Sequence, residues 1–247
     1  MRGLFSVNAP TQFIEAASDD GDHADRLAMT AKNAFDPARP PGDNGYAGSF
    51  TKRALDLLIC VATLAFFAPL MLLIAIAIRM TGPVFFKQRR IGRDGKLFHV
   101  YKFRTMAVDA EQRLADLLAA DPVARLEWET LRKLTHDPRI TLLGKFLRLS
   151  SLDELPQLIN VMIGDMSIVG PRPIVPSEAV MYGHRIAAYC RVKPGLTGMW
   201  QVSGRNGTTY RRRVALDVCY SRRASLALDL WILLKTIPAV LKADGAH

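Results

Sequence analysis

The side chains best suited to chemistry are concentrated at Ser150-Ser151-Leu152-Asp153-Glu154-Leu155-Pro156-Gln157-Leu158, where two adjacent carboxylates precede a proline. A proline fits a helix best in its first turn, where its missing N–H has no partner to lose. Pro156 therefore predicts a helix over Leu152–Ile163, ended by Gly164, with Asp153 close to the N-cap and Glu154 at the first helical position. One structural role follows at once: Asp153 caps the helix and Glu154 complements its dipole. Another pairs Ser151 with Glu154 as a capping box, at the cost of a poorly placed proline. Against both stands a chemical role. Arg172 sits between two prolines in Ser167-Ile168-Val169-Gly170-Pro171-Arg172-Pro173, on a rigid backbone that suits a fixed guanidinium fork for phosphate. Lys102-Phe103-Arg104-Thr105 supplies two more cations, and Asp137-Pro138-Arg139 and Arg148 add to them. Paired carboxylates among cations suit magnesium-dependent phosphoryl transfer, one oxygen acting as nucleophile or base and another as metal ligand.

Several elements must position these groups. Val84–Gln88 and Leu97–Phe103 are β-prone runs joined by Arg93-Asp94-Gly95-Lys96, which predicts a hairpin. Ala107–Leu134 reads as a polar amphipathic helix interrupted at Asp121-Pro122, and Ile140–Leu149 as a second apolar-periodic stretch. Ala224–Leu241 is apolar yet carries Asp229, Lys235 and Pro238; it suits an interfacial helix, with Trp231 at headgroup level, or a core helix of the body. Trp200, Gln201 and Arg205 suit either a nucleotide or lipid site or loop packing, and Arg211-Arg212-Arg213 reads as a solvated or headgroup-facing run. His99, His136 and His184 have no metal-ligand spacing.

Ala54–Ile78 is a 25-residue apolar run whose only charge is Asp56. As a straight helix it would reach roughly 37 Å, enough for a hydrocarbon core of about 30 Å. Pro69 near its middle favours a bend. Basic residues flank both ends, Lys52 and Arg53 before it and Arg79, Lys87, Arg89, Arg90, Arg93 and Lys96 after it. Cytoplasmic flanks are the positive ones, so a helix-break-helix returning to the same face satisfies both; a single span also leaves the C-terminal body in the cytoplasm. No apolar stretch of signal-peptide type follows Arg2.

The 247 residues carry a net charge of +10 with 49% hydrophobic residues and a mean hydropathy of +0.09. A soluble nucleic-acid binder would explain the charge alone, and a multispanning transporter would need far more apolar sequence. Residues 1–50 carry −3 and residues 51–247 carry +13, so the basic character belongs to the body. The first segment, rich in proline and glycine from Asp36 to Gly48, reads as a disordered acidic tail and linker. Cys60, Cys190 and Cys219 lack CxxC spacing and read as reduced thiols. A basic, membrane-attached binding protein without catalysis would explain charge and apolar segment but not the acidic pair beside SIVGPRP, and no nucleic-acid motif is present.

From Lys52 onward the chain resembles the monotopic bacterial phosphoglycosyl transferases, also called bacterial sugar transferases or polyprenyl-phosphate sugar-1-phosphate transferases. The motifs are KR-x-x-D (Lys52, Arg53, Asp56), QRRIGRDGKLF from Gln88, KFRTM from Lys102, DPRIT-x-x-G from Asp137, SLDELPQL-x-N from Ser151, GDMSIVGPRP from Gly164 and KPGLTGMWQVSGR from Lys193. The single apolar segment is most similar to the short exopolysaccharide-initiating enzymes that load galactose or glucose phosphate. The resemblance implies an α/β, mainly α, monotopic membrane protein of the bacterial inner membrane. Its parts would be a tail (1–50), a re-entrant helix (51–82) broken at Pro69, and a cytoplasmic catalytic domain (83–247) with a β-hairpin and interfacial helices. It implies ping-pong chemistry: Asp153 attacks the β-phosphate of a UDP-sugar, releasing UMP, and undecaprenyl phosphate then takes the phosphosugar. Glu154 would hold Mg2+, and Lys102, Arg104, Arg148 and Arg172 are the candidate phosphate contacts. The amides of the helix start would keep Asp153 ionised. The expected partners are the two substrates and membrane lipid, with no nucleic acid; self-association is left open. Where the family often has serine before the proline, this chain has Ala68, so no hydroxyl is available there for backbone groups freed at the bend.

Overall fold

A computed structural model describes residues 45–131, 134–204 and 209–241. The predicted tail lies outside the described residues up to position 44, as does Arg205. The described chain begins in a turn, and Tyr46 is already tied to the body by a hydrogen bond from its hydroxyl to Asp229 Oδ2 (2.9 Å).

Ser49 then caps helix α1 (Phe50–Arg79), its Oγ accepting from the Lys52 N–H. At 30 residues α1 is roughly 45 Å long. Pro69 lies inside this single helical element, not between two helices as the sequence predicts. Proline removes one backbone hydrogen bond and bends a helix without obliging it to end. Both ends of α1 pack on the body. Lys52, Asp56 and Cys60 are buried near its start, and Ile74 and Ile78 near its end, where they join Phe103 and Leu147. Between them Val61, Phe66, Leu70, Leu72 and Leu73 are bare.

The predicted hairpin forms from β1 (Phe85–Ile91) and β2 (Leu97–Phe103), antiparallel, pairing Phe85 with Phe103 and Ile91 with Leu97. Its turn needs left-handed backbone at Asp94 (φ 58°) and Gly95 (φ 70°), which the Asp-Gly pair tolerates. The long amphipathic helix is two, α2 (Ala110–Ala120) and α3 (Pro122–Leu131), separated where Asp121 Oδ1 accepts from the Val123 N–H and Pro122 starts the new helix. α4 (Leu142–Leu149) follows, capped by Thr141.

The expected helix over Leu152–Ile163 is shorter: a 3-10 turn at Leu152–Glu154 precedes α5 (Gln157–Ile163), which ends at Gly164 with φ 95°. The chain continues through β3 (Ser167–Val169), α6 (Ala179–Tyr182), α7 (Ile186–Tyr189), β4 (Gly195–Thr197), α8 (Met199–Val202), α9 (Tyr210–Arg223) and α10 (Leu226–Leu241). β3 and β4 pair in parallel, Ser167 with Gly195 and Val169 with Thr197. Glycine is required at the crossing beyond them, since a Cβ on Gly170 would lie 2.4 Å from the Lys193 carbonyl oxygen. The main core joins Cys60, Val100, Leu158, Val161, Ile168, Tyr220 and Ile232. α10 packs on the core through one face: Ile232 and Asp229 are fully buried, while Leu230, Trp231, Leu234 and Ile237 face outward.

A buried ionic cluster clips these parts together. Lys52 Nζ lies 3.0 Å from Asp56 Oδ1, 2.8 Å from Asp229 Oδ2 and 3.2 Å from the Val169 carbonyl oxygen. Asp56 Oδ1 also accepts from Ser167 Oγ and the Ile168 N–H, and Asp229 from the Tyr46 and Tyr220 hydroxyls. Removing the cation leaves two buried carboxylates facing each other, a loss of about 3–5 kcal/mol. Removing one hydroxyl donor costs less, about 1.5–3 kcal/mol. Lys52→Met is therefore expected to lower the thermal unfolding midpoint of the detergent-solubilised protein further than Tyr220→Phe does; the reverse order would contradict the cluster's central role.

Candidate active site

The acidic pair is presented by a tight connection between α4 and α5. Ser151 takes left-handed backbone (φ 58°), and the turn closes with the Glu154 N–H on the Ser151 carbonyl and the Leu155 N–H on the Leu152 carbonyl. Pro156 occupies the N-cap of α5, and neither Ser151 nor Pro156 makes a side-chain cap. Neither capping role for the acidic pair is thus realised. The proline delays the α-helix past Asp153, which leaves both carboxylates on a 3-10 turn.

Asn160 holds this turn against the hairpin. Its Oδ1 accepts from the Tyr101 N–H (3.1 Å) and its Nδ2 donates to the His99 carbonyl (2.7 Å), which sets Lys102, the next residue along β2, beside the pair. Lys102 Nζ lies 2.6 Å from Glu154 Oε1 and 3.8 Å from Asp153 Oδ2. From the other side Arg172 Nη2 is 3.8 Å from Glu154 Oε1. α4 presses so closely on the loop after β2 that a Cβ on Gly144 would sit 1.9 Å from the Thr105 carbonyl oxygen. That contact lets Arg148 Nε donate to Thr105 Oγ1 (2.9 Å), where its charge acts on Asp153.

The two carboxylates are driven apart in acidity. Burial pushes Asp153, which is 8% exposed, up to about 6; Lys102 and Arg148 oppose this and Glu154 reinforces it. Burial also acts to raise Glu154, but Lys102 and Arg172, with Arg90 behind them, outweigh it and hold that carboxyl down at about 2. Asp153 is thus poised near neutrality beside a permanent anion, and burial outweighs the backbone hydrogen bonding that favours its ionised form.

Arg104, expected among the phosphate contacts, makes no ion pair with either carboxylate. Its Nη2 donates to Thr81 Oγ1 (2.7 Å) and the Ile78 carbonyl (3.3 Å), closing the end of α1. Arg139 is held by Asp137 at 2.7 Å and lies over the Trp128 ring. Arg90 is a further cation at the site: its Nη1 donates to the Pro173 carbonyl (3.1 Å), steadying the arm that carries Arg172. Arg213 departs from the solvated-run reading. It is 8% exposed, pairs with Glu178 at 3.2 Å and places Cζ 4.9 Å from the centre of the Trp200 ring, against which Arg172 also lies at 5.6 Å. The signal was present in the spacing of Tyr210, Arg213, Asp217 and Tyr220, which share one face of α9.

Among the described residues no group of three His, Cys, Asp or Glu side chains could enclose a metal ion. The pair alone fits Mg2+ in its usual mode of one or two carboxylates completed by water and substrate phosphate oxygens. Glu154, anionic throughout the physiological range, is the better donor.

Asp153 and Glu154 also carry opposite pH dependence of stability. Asp153, raised above its ordinary 3.8, contributes stability that is present below that value and lost as pH rises through about 6. Glu154, lowered from 4.5, contributes above that value and loses its contribution as pH falls toward about 2. Without added divalent cation, Asp153→Asn should melt at a higher temperature than wild type at about pH 7.5, by an amount corresponding to about 1–3 kcal/mol, and lose that advantage near pH 4. Equal midpoints at the higher pH would contradict the raised value.

The site's residues fall within positions 47–243, which match the family profile described as bacterial sugar transferase. The chain is 48% identical over 199 residues to the undecaprenyl-phosphate galactose phosphotransferase of Salmonella typhimurium, covering 80% of this chain and 42% of that protein. It is 44% identical over 220 residues to the exopolysaccharide production protein ExoY of Sinorhizobium fredii, covering 88% of this chain and 97% of the relative. It is 40% identical over 206 residues to the UDP-glucose:undecaprenyl-phosphate glucose-1-phosphate transferase of Caulobacter vibrioides, covering 79% and 72%. With the profile spanning most of the chain and enclosing the hairpin, the acidic turn and the Arg172 arm alike, this protein belongs to the bacterial sugar transferase family, the phosphoglycosyl transferases.

Proposed function

We propose that this protein transfers a sugar 1-phosphate from a UDP-sugar, UDP-galactose or UDP-glucose, to undecaprenyl phosphate at the cytoplasmic face of the bacterial inner membrane, as the first membrane step of exopolysaccharide synthesis. The observation that carries the reading is the divided acidic pair, Asp153 poised near 6 and Glu154 held near 2, flanked by Lys102 and Arg172. The names of the Salmonella and Caulobacter relatives support the substrate classes, and that of the Sinorhizobium relative supports the exopolysaccharide context.

In this mechanism an ionised Asp153 oxygen attacks the β-phosphorus of the donor. The bond from that phosphorus to the bridging oxygen breaks, and UMP leaves with the electron pair. An oxygen of undecaprenyl phosphate then attacks the same phosphorus, the bond to Asp153 breaks, and the carboxylate is regenerated. Lys102 and Arg172 neutralise charge on the phosphoryl oxygens, and Arg148 favours the ionised form of Asp153. Mg2+ on Glu154 would supply charge neutralisation to the diphosphate. Burial of Asp153 limits competing hydrolysis by water.

For the membrane, the reading is that α1 enters and leaves on one face. Support comes from the packing of residues 52–60 and 74–78 on the same body with bare apolar residues between them. Leu142 and Phe146 on α4, Ile159 and Ile163 on α5, and Trp231 and Leu234 on α10 are exposed apolar groups that support helices lying in the interface.

Purified protein incubated with magnesium and UDP-galactose or UDP-glucose, without lipid acceptor, is expected to gain a hexose-phosphate mass mapped to Asp153 and to release UMP. Asp153→Asn should lose both, and adduct formation should rise with pH through about 6 in wild type. Full activity in the variant would overturn the nucleophile assignment. Topology is tested separately, in a Cys219→Ser background, with single cysteines at Gly45 and at Met80. An impermeant maleimide should label both in inside-out vesicles and neither in spheroplasts; labelling from opposite sides would establish a full span.

A further inference from the structure

A cavity of about 210 Å3 opens at the N-terminal end of α1, lined on its other sides by the β1–β2 turn and the segment before β4. Its charged wall is mainly cationic. Lys52 belongs to the buried cluster with Asp56 and Asp229, which leaves Arg53, Arg93 and Lys193. Arg53 donates to the Val161 (2.7 Å) and Met162 (2.8 Å) carbonyls, which pin the guanidinium without neutralising it. Arg93 meets only its neighbour Asp94, at 3.8 Å, and both side chains are more than two-fifths exposed, so the pair is weak. Lys193 makes no hydrogen bond or ion pair with a described residue. Its pKa is lowered first by burial and then by Arg53 and Arg93, while Asp56 and Asp165 act in the opposite sense.

Two glycines mark how closely these cations converge. A Cβ on Gly164 would lie 3.5 Å from Lys193 Nζ and 3.8 Å from Arg53 Nη2, and one on Gly48 would lie 3.7 Å from Arg93 Nη1. Ala47, Gly48 and Ser49 bring the positive end of the 30-residue α1 to the same space. Three cations, none held by a close ion pair, and a helix start around one open cavity form a receptor for a phosphate oxygen cluster.

We propose that this cavity binds the headgroup phosphate of an anionic membrane phospholipid, separately from the donor and acceptor phosphates handled by Lys102 and Arg172. The lipid source follows from position: exposed apolar side chains of α1 lie on both sides of Arg53, with Phe50 (87% exposed) at the first residue of the helix and Leu58 (70% exposed) and Val61 (55% exposed) from little more than a turn beyond it. A ligand here sits where α1 leaves the body for the bilayer. The inference rests on the membrane-embedded reading of α1, which the cysteine-labelling experiment tests on its own. A bound phospholipid would neutralise the cavity and fix the height of the body at the membrane surface.

The test is native mass spectrometry of the full chain in detergent, titrated with phosphatidylglycerol, with phosphatidylcholine and with inorganic phosphate. Wild type is expected to retain phosphatidylglycerol and not phosphatidylcholine. Arg93→Gln combined with Lys193→Gln should weaken that retention by about tenfold or more. Lys193→Arg should keep it, and the double variant should still form the hexose-phosphate adduct, which shows that it is folded. Unchanged retention in the double variant overturns the proposal, as does the absence of any lipid adduct in wild type. Retention of inorganic phosphate without lipid would make this a free-phosphate site and also overturn it. Lipid binding that emerges only after deletion of residues 1–44 would make the acidic tail the occupant and overturn it as well.

Discussion

Lys52 is the charge around which this protein is assembled. Buried with Asp56 and Asp229, it ties the first turn of α1 to α10 and, through the Val169 carbonyl, to β3. One cation against two carboxylates leaves an excess negative charge, which the structure spreads over the Ile168 amide and three hydroxyls, of Ser167, Tyr46 and Tyr220. Such a cluster is costly to desolvate, and its geometry is correspondingly specific: few other arrangements of these elements would satisfy every partner. The consequence reaches the chemistry. β3 runs directly into the Gly170–Pro173 arm, so the interaction that seats the apolar helix also sets the strand from which Arg172 approaches Glu154.

The acidic turn uses electrostatics in a different way. Adjacent carboxylates in a partly buried site cannot both ionise freely, and the surrounding cations resolve the conflict unequally. Lys102 is closer to Glu154 than to Asp153 by more than an ångström, and Arg172 adds to the same side. Glu154 is therefore a permanent anion, while Asp153 remains a carboxylate that takes up a proton near pH 6. Behind Arg172, the Trp200 ring and Arg213 form a stack anchored on Glu178, so the cation that meets Glu154 is backed by a layer rather than by solvent.

The pairing of positive charge with apolar content also finds a spatial explanation. The cations divide among the acidic turn, the carbonyl ends of α1 and α5 closed by Arg104 and Arg53, and the cavity at the start of α1. The exposed apolar residues lie along the middle of α1 and on one face each of α4, α5 and α10. A basic body carrying uncovered apolar faces is suited to the boundary between water and an anionic bilayer.

Local rules sufficed for much of this. Pro122 after Asp121 divided the long helix, Asp94-Gly95 turned the hairpin, and Gly164 ended α5, because each depends on backbone preferences carried by one or two residues. The motifs likewise marked Asp153 and Glu154, with Lys102, Arg104, Arg148 and Arg172, as one candidate site, since a carboxylate pair and the cations that serve it are recognisable by residue type and spacing. Two features were beyond such reading. The burial that raises Asp153 and the contacts of Arg104 with Ile78 and Thr81 depend on neighbours distant in sequence. By itself, the sequence determined which groups could do the chemistry and where the chain would turn; the tertiary structure decided which charges meet and which carboxylate holds its proton to the higher pH, because desolvation and Coulomb energy depend on distances that only packing sets.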